Sequence, residues 1–267
     1  QSAVAFYHGG MGTLYSGLVS ITFRTLSVPQ IVDLVIKAGQ KAIEWGGDIH
    51  VPHGDLRAAR RARQACSDAG IVTPSFGSYF RLGVSESSGV SFTSVLDTAA
   101  ELSGKTVRVW AGNKGSAETT EDERSALVEE AHACAELAAA SGMTVSLEYH
   151  GGTLTDTGES ARAFFASVGH EALRSYWQPR AGAPKTSSLA ELDGVAPYLS
   201  NIHVFHWHDF GDRMTLAEGK AAWHAYLSRA AEVSGERYAM LEFVQDDDPQ
   251  QYLADASTLS EILLGLQ

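Results

Sequence analysis

The sequence predicts a single-domain α/β protein folded as a (β/α)₈ barrel, in which a closed parallel sheet is surrounded by helices. Eight short β-branched or apolar runs alternate with longer helical stretches along 267 residues, a length typical of one such barrel. A helix after every strand indicates parallel pairing, because parallel neighbours need a crossover connection. No linker or repeat divides the chain, so we expect one domain over 1–267, with 1–17 as a lead-in.

The predicted strands end where polar residues or glycines interrupt the apolar runs. They cover Leu18–Phe23, Lys41–Trp45, Ile71–Phe76, Thr106–Trp110, Met143–Glu148, Leu173–Gln178, Asn201–His206 and Tyr238–Glu242.

Helix boundaries support the alternation. Pro29 is typical of a first helical turn, Gly70 of a helix end, and Thr120 with Glu123 forms a capping box. An open doubly wound sheet is the competing fold, and it usually carries a glycine-rich phosphate turn after its first strand. Here the first predicted strand is followed by Arg24-Thr25-Leu26-Ser27, which favours the barrel.

Composition limits the possible partners. The formal net charge of −12 would repel duplex nucleic acid, so we expect no nucleic-acid partner. No apolar run approaches the roughly 20 residues that a membrane span needs, and no signal peptide is recognisable. Cys66 and Cys134 lie in alanine-rich helical patterns and form no metal or redox motif, which is typical of a cytoplasmic protein.

Four polar residues end consecutive predicted strands at the carboxyl edge of the barrel, where barrel enzymes carry their active sites. They are Glu148, Gln178, His206 and Glu242. Burying such groups is costly unless they are paired or bind a metal. Two carboxylates, an amide oxygen and an imidazole suit a divalent cation; we expect Mn²⁺, with Mg²⁺, Co²⁺ or Zn²⁺ as alternatives.

The strand ends also resemble the xylose isomerase-like TIM barrel family, which includes sugar phosphate isomerases and epimerases. The motifs are "IEWGGD", "VRVWAG", "VSLEYH", "YWQP", "HVFHWHD" and "MLEF", spread over predicted strands two to eight. In that family a metal-binding histidine precedes an aspartate by three residues, as His206 precedes Asp209. The resemblance implies Glu148, Gln178, His206 and Glu242 as metal ligands, and it departs from the family at Gln178, where an aspartate is common.

By this resemblance the chain is a metal-dependent sugar or sugar phosphate isomerase or epimerase. Glu148 and Glu242 would move a proton through an enediolate-like intermediate on a carbohydrate substrate. A dehydratase or lyase acting on a cyclitol or keto-sugar is the first alternative. An abasic-site endonuclease and a non-catalytic sugar-binding barrel rank lower. A homodimer or homotetramer is expected by resemblance only.

Further polar and aromatic residues near the strand ends are candidate substrate contacts. They are His50, Trp110, Lys114, His150 and His208. Tryptophan rings at strand ends can stack on a sugar, although Trp45, Trp110, Trp177 and Trp207 should include at least two that belong to the core. His53 precedes a predicted helix start and is expected to have a capping role.

Overall fold

The computed structural model describes residues 12–266 and contains a closed barrel of eight parallel strands. The strands are β1 (Thr13–Val19), β2 (Ala42–Gly46), β3 (Ser75–Arg81), β4 (Thr106–Trp110), β5 (Thr144–Glu148), β6 (Leu173–Trp177), β7 (Leu199–Val204) and β10 (Glu236–Leu241). The barrel closes where β1 pairs with both β10 and β2. The predicted fold is therefore confirmed.

Helices cover the outside of the sheet between successive strands. They are α1 (Val28–Lys37), α2 (Leu56–Asp68), α3 (Phe92–Glu101), α4 (Glu121–Ala140), α5 (Gly158–Val168), α6 (Lys185–Val195), α7 (Lys220–Ala231) and α8 (Pro249–Leu264). The predicted capping box is present at the start of α4. The side chains of Thr120 and Glu123 each accept a hydrogen bond from the backbone N–H of the other residue. The main apolar core lies between these helices and the strands.

None of the helices between residues 12 and 266 is long and apolar enough to span a membrane.

The first strand begins earlier than the sequence predicted. β1 starts at Thr13, and Ser20–Phe23 forms a 3₁₀ turn, so the predicted lead-in contributes strand residues up to 17. Gly17 lies within this strand. Only a glycine fits there, because a Cβ would lie 2.7 Å from Ala42 O and 2.6 Å from Met240 Sδ. The earlier part of the lead-in, residues 1–11, falls outside the described residues.

The third and seventh strands are also displaced from their predicted positions. β3 covers Ser75–Arg81 and contains a register shift between Gly77 and Phe80. β7 ends at Val204, two residues before the predicted end. The chain then forms an antiparallel hairpin of β8 (His206–Asp209) and β9 (Asp212–Met214) above the barrel mouth. The predicted site residue His206 therefore lies in the hairpin.

Candidate active site

Three of the four predicted ligands meet at the carboxyl ends of the strands. Glu148 is the last residue of β5, while Gln178 and Glu242 directly follow β6 and β10. All three side chains are buried. They converge on His203 of β7, whose Nδ1 lies 3.0 Å from Gln178 Oε1, 3.4 Å from Glu242 Oε2 and 3.7 Å from Glu148 Oε1.

His203 stands beside these three side chains, while His206, the histidine that the sequence predicted as a ligand, lies apart from them. His203 is fully buried within the barrel, whereas His206 is half-buried on β8 with its ring packed against Gly219. The difference follows from the end of β7 at Val204: a residue beyond the barrel strand no longer points into the barrel. The H-x-x-D spacing of His206 and Asp209 therefore belongs to the hairpin, where Asp209 accepts a hydrogen bond from the backbone N–H of Phe210.

Beneath these groups lies a buried ion-pair network that the sequence did not predict. Arg108 of β4 donates from Nε to Glu44 Oε1 at 2.8 Å and from Nη1 to Glu148. Glu148 also accepts from the indole N–H of Trp110. One oxygen of Glu148 is thus held by two donors, and the other faces His203. A carboxylate held in this way has a fixed orientation, which a binding site requires.

The charges in this cluster shift one another's pKa values. Burial alone would lower the pKa of His203, but the carboxylates of Glu242, Glu148 and Glu44 raise it to about 10. Burial alone would raise the pKa of Glu44, yet Arg108 and His203 lower it to about 2. Burial raises the pKa of Glu242. The cluster therefore stabilises positive charge at His203, between several carboxylates.

The donor types in the cluster, two carboxylates, an amide oxygen and an imidazole, are ones that bind divalent cations. His203 Nδ1 lies 3.0–3.7 Å from the three oxygens. As the side chains stand, no three His, Cys, Asp or Glu residues between positions 12 and 266 already have metal-ligand geometry. The chemistry of these side chains suits a cation, whereas their arrangement is that of a hydrogen-bonded ion-pair cluster.

Arg108, Glu148, Gln178 and Glu242 line the floor of a cavity of about 800 Å³ at the barrel mouth, and His203 is not among its lining residues. Its walls are largely aromatic and come from β3, β4, the hairpin and the segment after β10; they include Tyr79, Trp110, Phe205, Trp207 and Phe243. Trp45 and Trp177, in contrast, are fully buried in the core. The expectation that the tryptophans divide between core and mouth agrees with this arrangement.

Two of the five predicted substrate contacts line this cavity. His150 stacks on Trp110 with ring centroids 5.5 Å apart, and its Nδ1 lies 2.6 Å from Gly151 O. Because a carbonyl oxygen only accepts, Nδ1 carries the proton of the neutral ring and Nε2 keeps a lone pair. His150 thus has a basic nitrogen that the described hydrogen bonds leave available.

The other three predicted contacts lie elsewhere. His50 uses both ring nitrogens within the protein, at 3.0 Å from Ser20 Oγ and 3.1 Å from Leu26 O. Lys114 forms an ion pair with Glu123 at the start of α4. The exposed His208 lies on the hairpin, 3.4 Å from Asp212. None of these three side chains lines the cavity.

Tyr79 is a further cavity residue that the sequence did not predict. It lies in the irregular part of β3 with φ of 59°, an uncommon conformation for a residue other than glycine. Its hydroxyl accepts a hydrogen bond of 3.0 Å from Arg24. Burial raises its pKa to about 12, so the phenol stays protonated near neutral pH. A sequence signal existed for the buried cluster, since Arg108 and His203 each interrupt an apolar strand, but none marked Tyr79.

Comparisons with known proteins agree with the barrel fold. The family model described as "Xylose isomerase-like TIM barrel" matches residues 32–262. A curated 3-dehydroshikimate dehydratase from Bacillus anthracis is 26% identical over 203 residues, which cover 70% of this chain and 69% of that protein.

Solved structures share the architecture over nearly the whole chain. A probable 3-DHS dehydratase from Bacillus anthracis has a TM-score of 0.77 at 20% identity, covering 93% of this chain and 99% of that one. A D-psicose 3-epimerase from Clostridium cellulolyticum has a TM-score of 0.68 at 13% identity, covering 95% and 99%. A protein from Mycobacterium smegmatis in complex with magnesium has a TM-score of 0.66 at 14% identity, covering 97% and 99%. At these identities the three structures show the fold alone.

Proposed function

Because the chain belongs to the xylose isomerase-like TIM barrel family, as its motifs predicted, we propose that it is a metal-dependent dehydratase. Its substrate would be a cyclic β-hydroxy ketone of the 3-dehydroshikimate type. The observation that carries the proposal is the convergence of Glu148, Gln178 and Glu242 on His203 at the floor of an aromatic cavity. The match to a 3-dehydroshikimate dehydratase favours this activity over the isomerase that the sequence ranked first.

Glu148, Gln178, His203 and Glu242 would hold the divalent cation. When bound, this ion would polarise the substrate carbonyl and make the hydrogen on the neighbouring carbon more acidic. Arg108 and Trp110 would keep Glu148 in place by holding its second oxygen. Mn²⁺ is the expected ion, since the set combines oxygen donors with one imidazole.

His150 is the proposed general base. Its Nε2 lone pair would take the proton from the carbon next to the carbonyl. The C–H electron pair would form the new double bond as the C–O bond to the β-hydroxyl breaks. The same nitrogen would return the proton to the departing oxygen, giving water. Tautomerisation of the remaining ring would complete an aromatic product.

The aromatic walls suit a flat ring. Trp110 and Trp207 lie on different strands and face the same cavity, where they would contact the ring and exclude water. Indole and phenyl faces bury apolar surface but offer few hydrogen bonds. An open-chain polyol would leave more of its hydroxyls without partners here than a ring that becomes aromatic.

The test is an assay of the purified protein with Mn²⁺ and 3-dehydroshikimate, recording the absorbance of 3,4-dihydroxybenzoate. Wild type should form this product, chelator should stop the reaction, and added Mn²⁺ should restore it. His150→Gln should lower the rate at least ~10²-fold while leaving Mn²⁺ binding unchanged. No product from 3-dehydroshikimate, with Mn²⁺ bound, would exclude the dehydratase.

An epimerase is the second candidate, and one observation favours it. Glu148 and Glu242 approach His203 Nδ1 at 3.7 and 3.4 Å, so two carboxylates face a common point. Such a pair could remove a proton on one side of a ketose and return one on the other. Incubating ketoses and ketose phosphates in D₂O tests it: deuterium beside the carbonyl, together with an inactive 3-dehydroshikimate assay, would favour the epimerase.

A further inference from the structure

Arg213 is a cavity residue to which the proposed mechanism gives no task. It lies on β9 of the hairpin above the barrel mouth and lines the aromatic cavity. We propose that Arg213 binds the carboxylate of the substrate and so selects ring compounds that carry one. The inference deepens the proposed function, on which it rests for the orientation of the substrate in the cavity.

The first argument is that the guanidinium of Arg213 has two donors to offer. Within the described residues, its hydrogen bonds to Asp247 and to Val244 O, the latter of 3.3 Å, both come from Nη1, which leaves Nε and Nη2 available. These two nitrogens lie along one edge of the guanidinium. Such an edge matches the two oxygens of a carboxylate and can bind them through two parallel hydrogen bonds.

The second argument is that aromatic rings hold this guanidinium beside the cavity. Its Cζ lies 5.0 Å from the ring centroid of Phe243 and 5.8 Å from that of Trp207, both within the range of a cation–π contact. Both rings belong to the cavity walls. A planar guanidinium placed in this way loses little freedom when it binds an anion. Arg213 is therefore positioned next to the space that a substrate ring would fill.

The third argument comes from the other arginines that line the cavity. Arg108 is buried and donates to Glu44 and Glu148, which balance its charge. Its remaining nitrogen, Nη2, is buried away from solvent. Arg108 therefore has no charge to spare for a substrate.

Arg180 is the closer rival, and its ion pair differs from that of Arg213. Arg180 donates from Nε and Nη2 to Glu191 at 2.9 and 2.5 Å, so its guanidinium edge is occupied. The side chain of Glu191 is only 12% exposed and would lose its partner at a cost if Arg180 moved. Asp247 is 60% exposed, so water can solvate it when Arg213 turns towards a substrate.

The fourth argument is the direction in which a bound substrate would point. Glu148 and Glu242 lie on the cavity floor and would repel a third carboxylate there. In the proposed product, 3,4-dihydroxybenzoate, the carboxylate is meta to one hydroxyl and para to the other, so it stands across the ring from both. A substrate whose carbonyl faces the floor would thus turn its carboxylate towards the mouth, where the hairpin carries Arg213.

The test compares two ligands that differ in charge and hardly in shape, 3,4-dihydroxybenzoate and 3,4-dihydroxybenzamide. Isothermal titration calorimetry under nitrogen, with Mn²⁺ present, measures Kd for both. We expect wild type to bind the carboxylate about 10- to 100-fold more tightly than the amide, as for a charge-assisted bidentate pair. Arg213→Met should lower this ratio to nearly 1. Its affinity for the amide should stay close to that of wild type, which would show that the cavity is intact.

Two further variants serve as controls. Arg180→Met removes an arginine from the same cavity and should keep the wild-type ratio of affinities. Arg213→Lys keeps the charge but has no guanidinium edge, so we expect an intermediate ratio. The lysine variant also provides the test if Arg213→Met does not fold.

A wild-type ratio near 1 would overturn the inference, and so would an unchanged ratio in Arg213→Met. A ratio lost in Arg180→Met but kept in Arg213→Met would overturn it in favour of Arg180. Each of these results is compatible with turnover of 3-dehydroshikimate by wild type, which would leave the proposed function intact. Conversely, a charge preference that depends on Arg213 in a protein that does not convert 3-dehydroshikimate would support the carboxylate site and contradict the dehydratase.

Discussion

The side-chain oxygen of Gln178 lies 3.0 Å from Nδ1 of His203, at the centre of the buried cluster. An amide therefore stands beside an imidazole at a position where the resembling family commonly carries an aspartate. The amide oxygen can bind a cation but contributes no negative charge, so a metal held as proposed would have one carboxylate fewer to offset its charge.

This relationship predicts how charge at position 178 controls metal affinity. Gln178→Asp and Gln178→Asn have the same length and differ only in charge. We expect the aspartate variant to bind Mn²⁺ at least ~10-fold more tightly than the asparagine variant, because a nearby opposite charge strengthens cation binding. Calorimetric titration of both variants measures the difference. Equal affinities would show that residue 178 is not beside the ion.

A pair of histidine variants tests the position of the imidazole ligand. His203→Asn should abolish measurable Mn²⁺ binding, because it removes the nitrogen at which the other three side chains converge. His206→Asn should bind Mn²⁺ like wild type, since that ring packs against Gly219 outside the cluster. Electron paramagnetic resonance of free Mn²⁺ gives both results. Loss of binding in the His206 variant alone would restore the assignment made from sequence.

The two glutamates should be essential for turnover. Glu148→Gln and Glu242→Gln should each lower kcat/KM for the accepted substrate by at least ~10²-fold, since both face the proposed reaction centre. Glu159→Gln, an exposed residue in the first turn of α5, should leave the rate unchanged. Steady-state kinetics at saturating Mn²⁺ provides the test. A variant with wild-type turnover would remove that glutamate from the mechanism.

Removing the buried guanidinium of Arg108 should lower the free energy of unfolding far more than removing the exposed guanidinium of Arg60. Arg108→Met leaves the carboxylates of Glu44 and Glu148 without their cation, at a cost of about 3–5 kcal/mol in the free energy of unfolding. Arg60→Met breaks a surface pair with Glu101, which keeps Arg63 as a partner, and should cost far less. Urea unfolding of both variants measures the contrast. Similar costs would contradict the buried network.

The start of α4 should show acid-dependent stability. The ammonium of Lys114 and then the backbone N–H of Thr120 lower the pKa of Glu123 to about 2. A pKa that is lower in the folded state stabilises the fold above the unfolded value of 4.5, and this contribution is lost as the pH falls towards 2. Glu123→Gln should therefore melt slightly below wild type at pH 7 and together with it near pH 2. Thermal melts at both pH values test this, with Glu121→Gln as the control. A difference between wild type and Glu123→Gln that persists near pH 2 would contradict it.

Much of the fold could be predicted because its signals are local. The capping box at Thr120 and Glu123 and the glycine after α2 act within a few residues, so their helix boundaries matched the structure closely. β1 was misplaced because Gly17 indicates a loop locally, and only the approach of Ala42 and Met240 explains a glycine inside that strand.

The candidate site was predicted less completely. Glu148, Gln178 and Glu242, which the structure brings close together, could be singled out because each marks the visible end of an apolar run. That His203 lies beside them could not be predicted, because three histidines follow one another at short spacing in β7 and β8 and nothing in that local pattern shows where the barrel strand ends.

By itself, then, the sequence determined the alternation of strands and helices, the carboxyl-end position of the acids and the family. These depend on periodicity and on residue type at strand ends, which are properties of short segments. Only the tertiary structure decided that His203 meets the acids, that Arg108 joins Glu44 to Glu148, and that His50, Lys114 and His208 lie away from the cavity. Those relationships depend on barrel closure and on side-chain direction at each strand end, which bring together residues far apart in the chain.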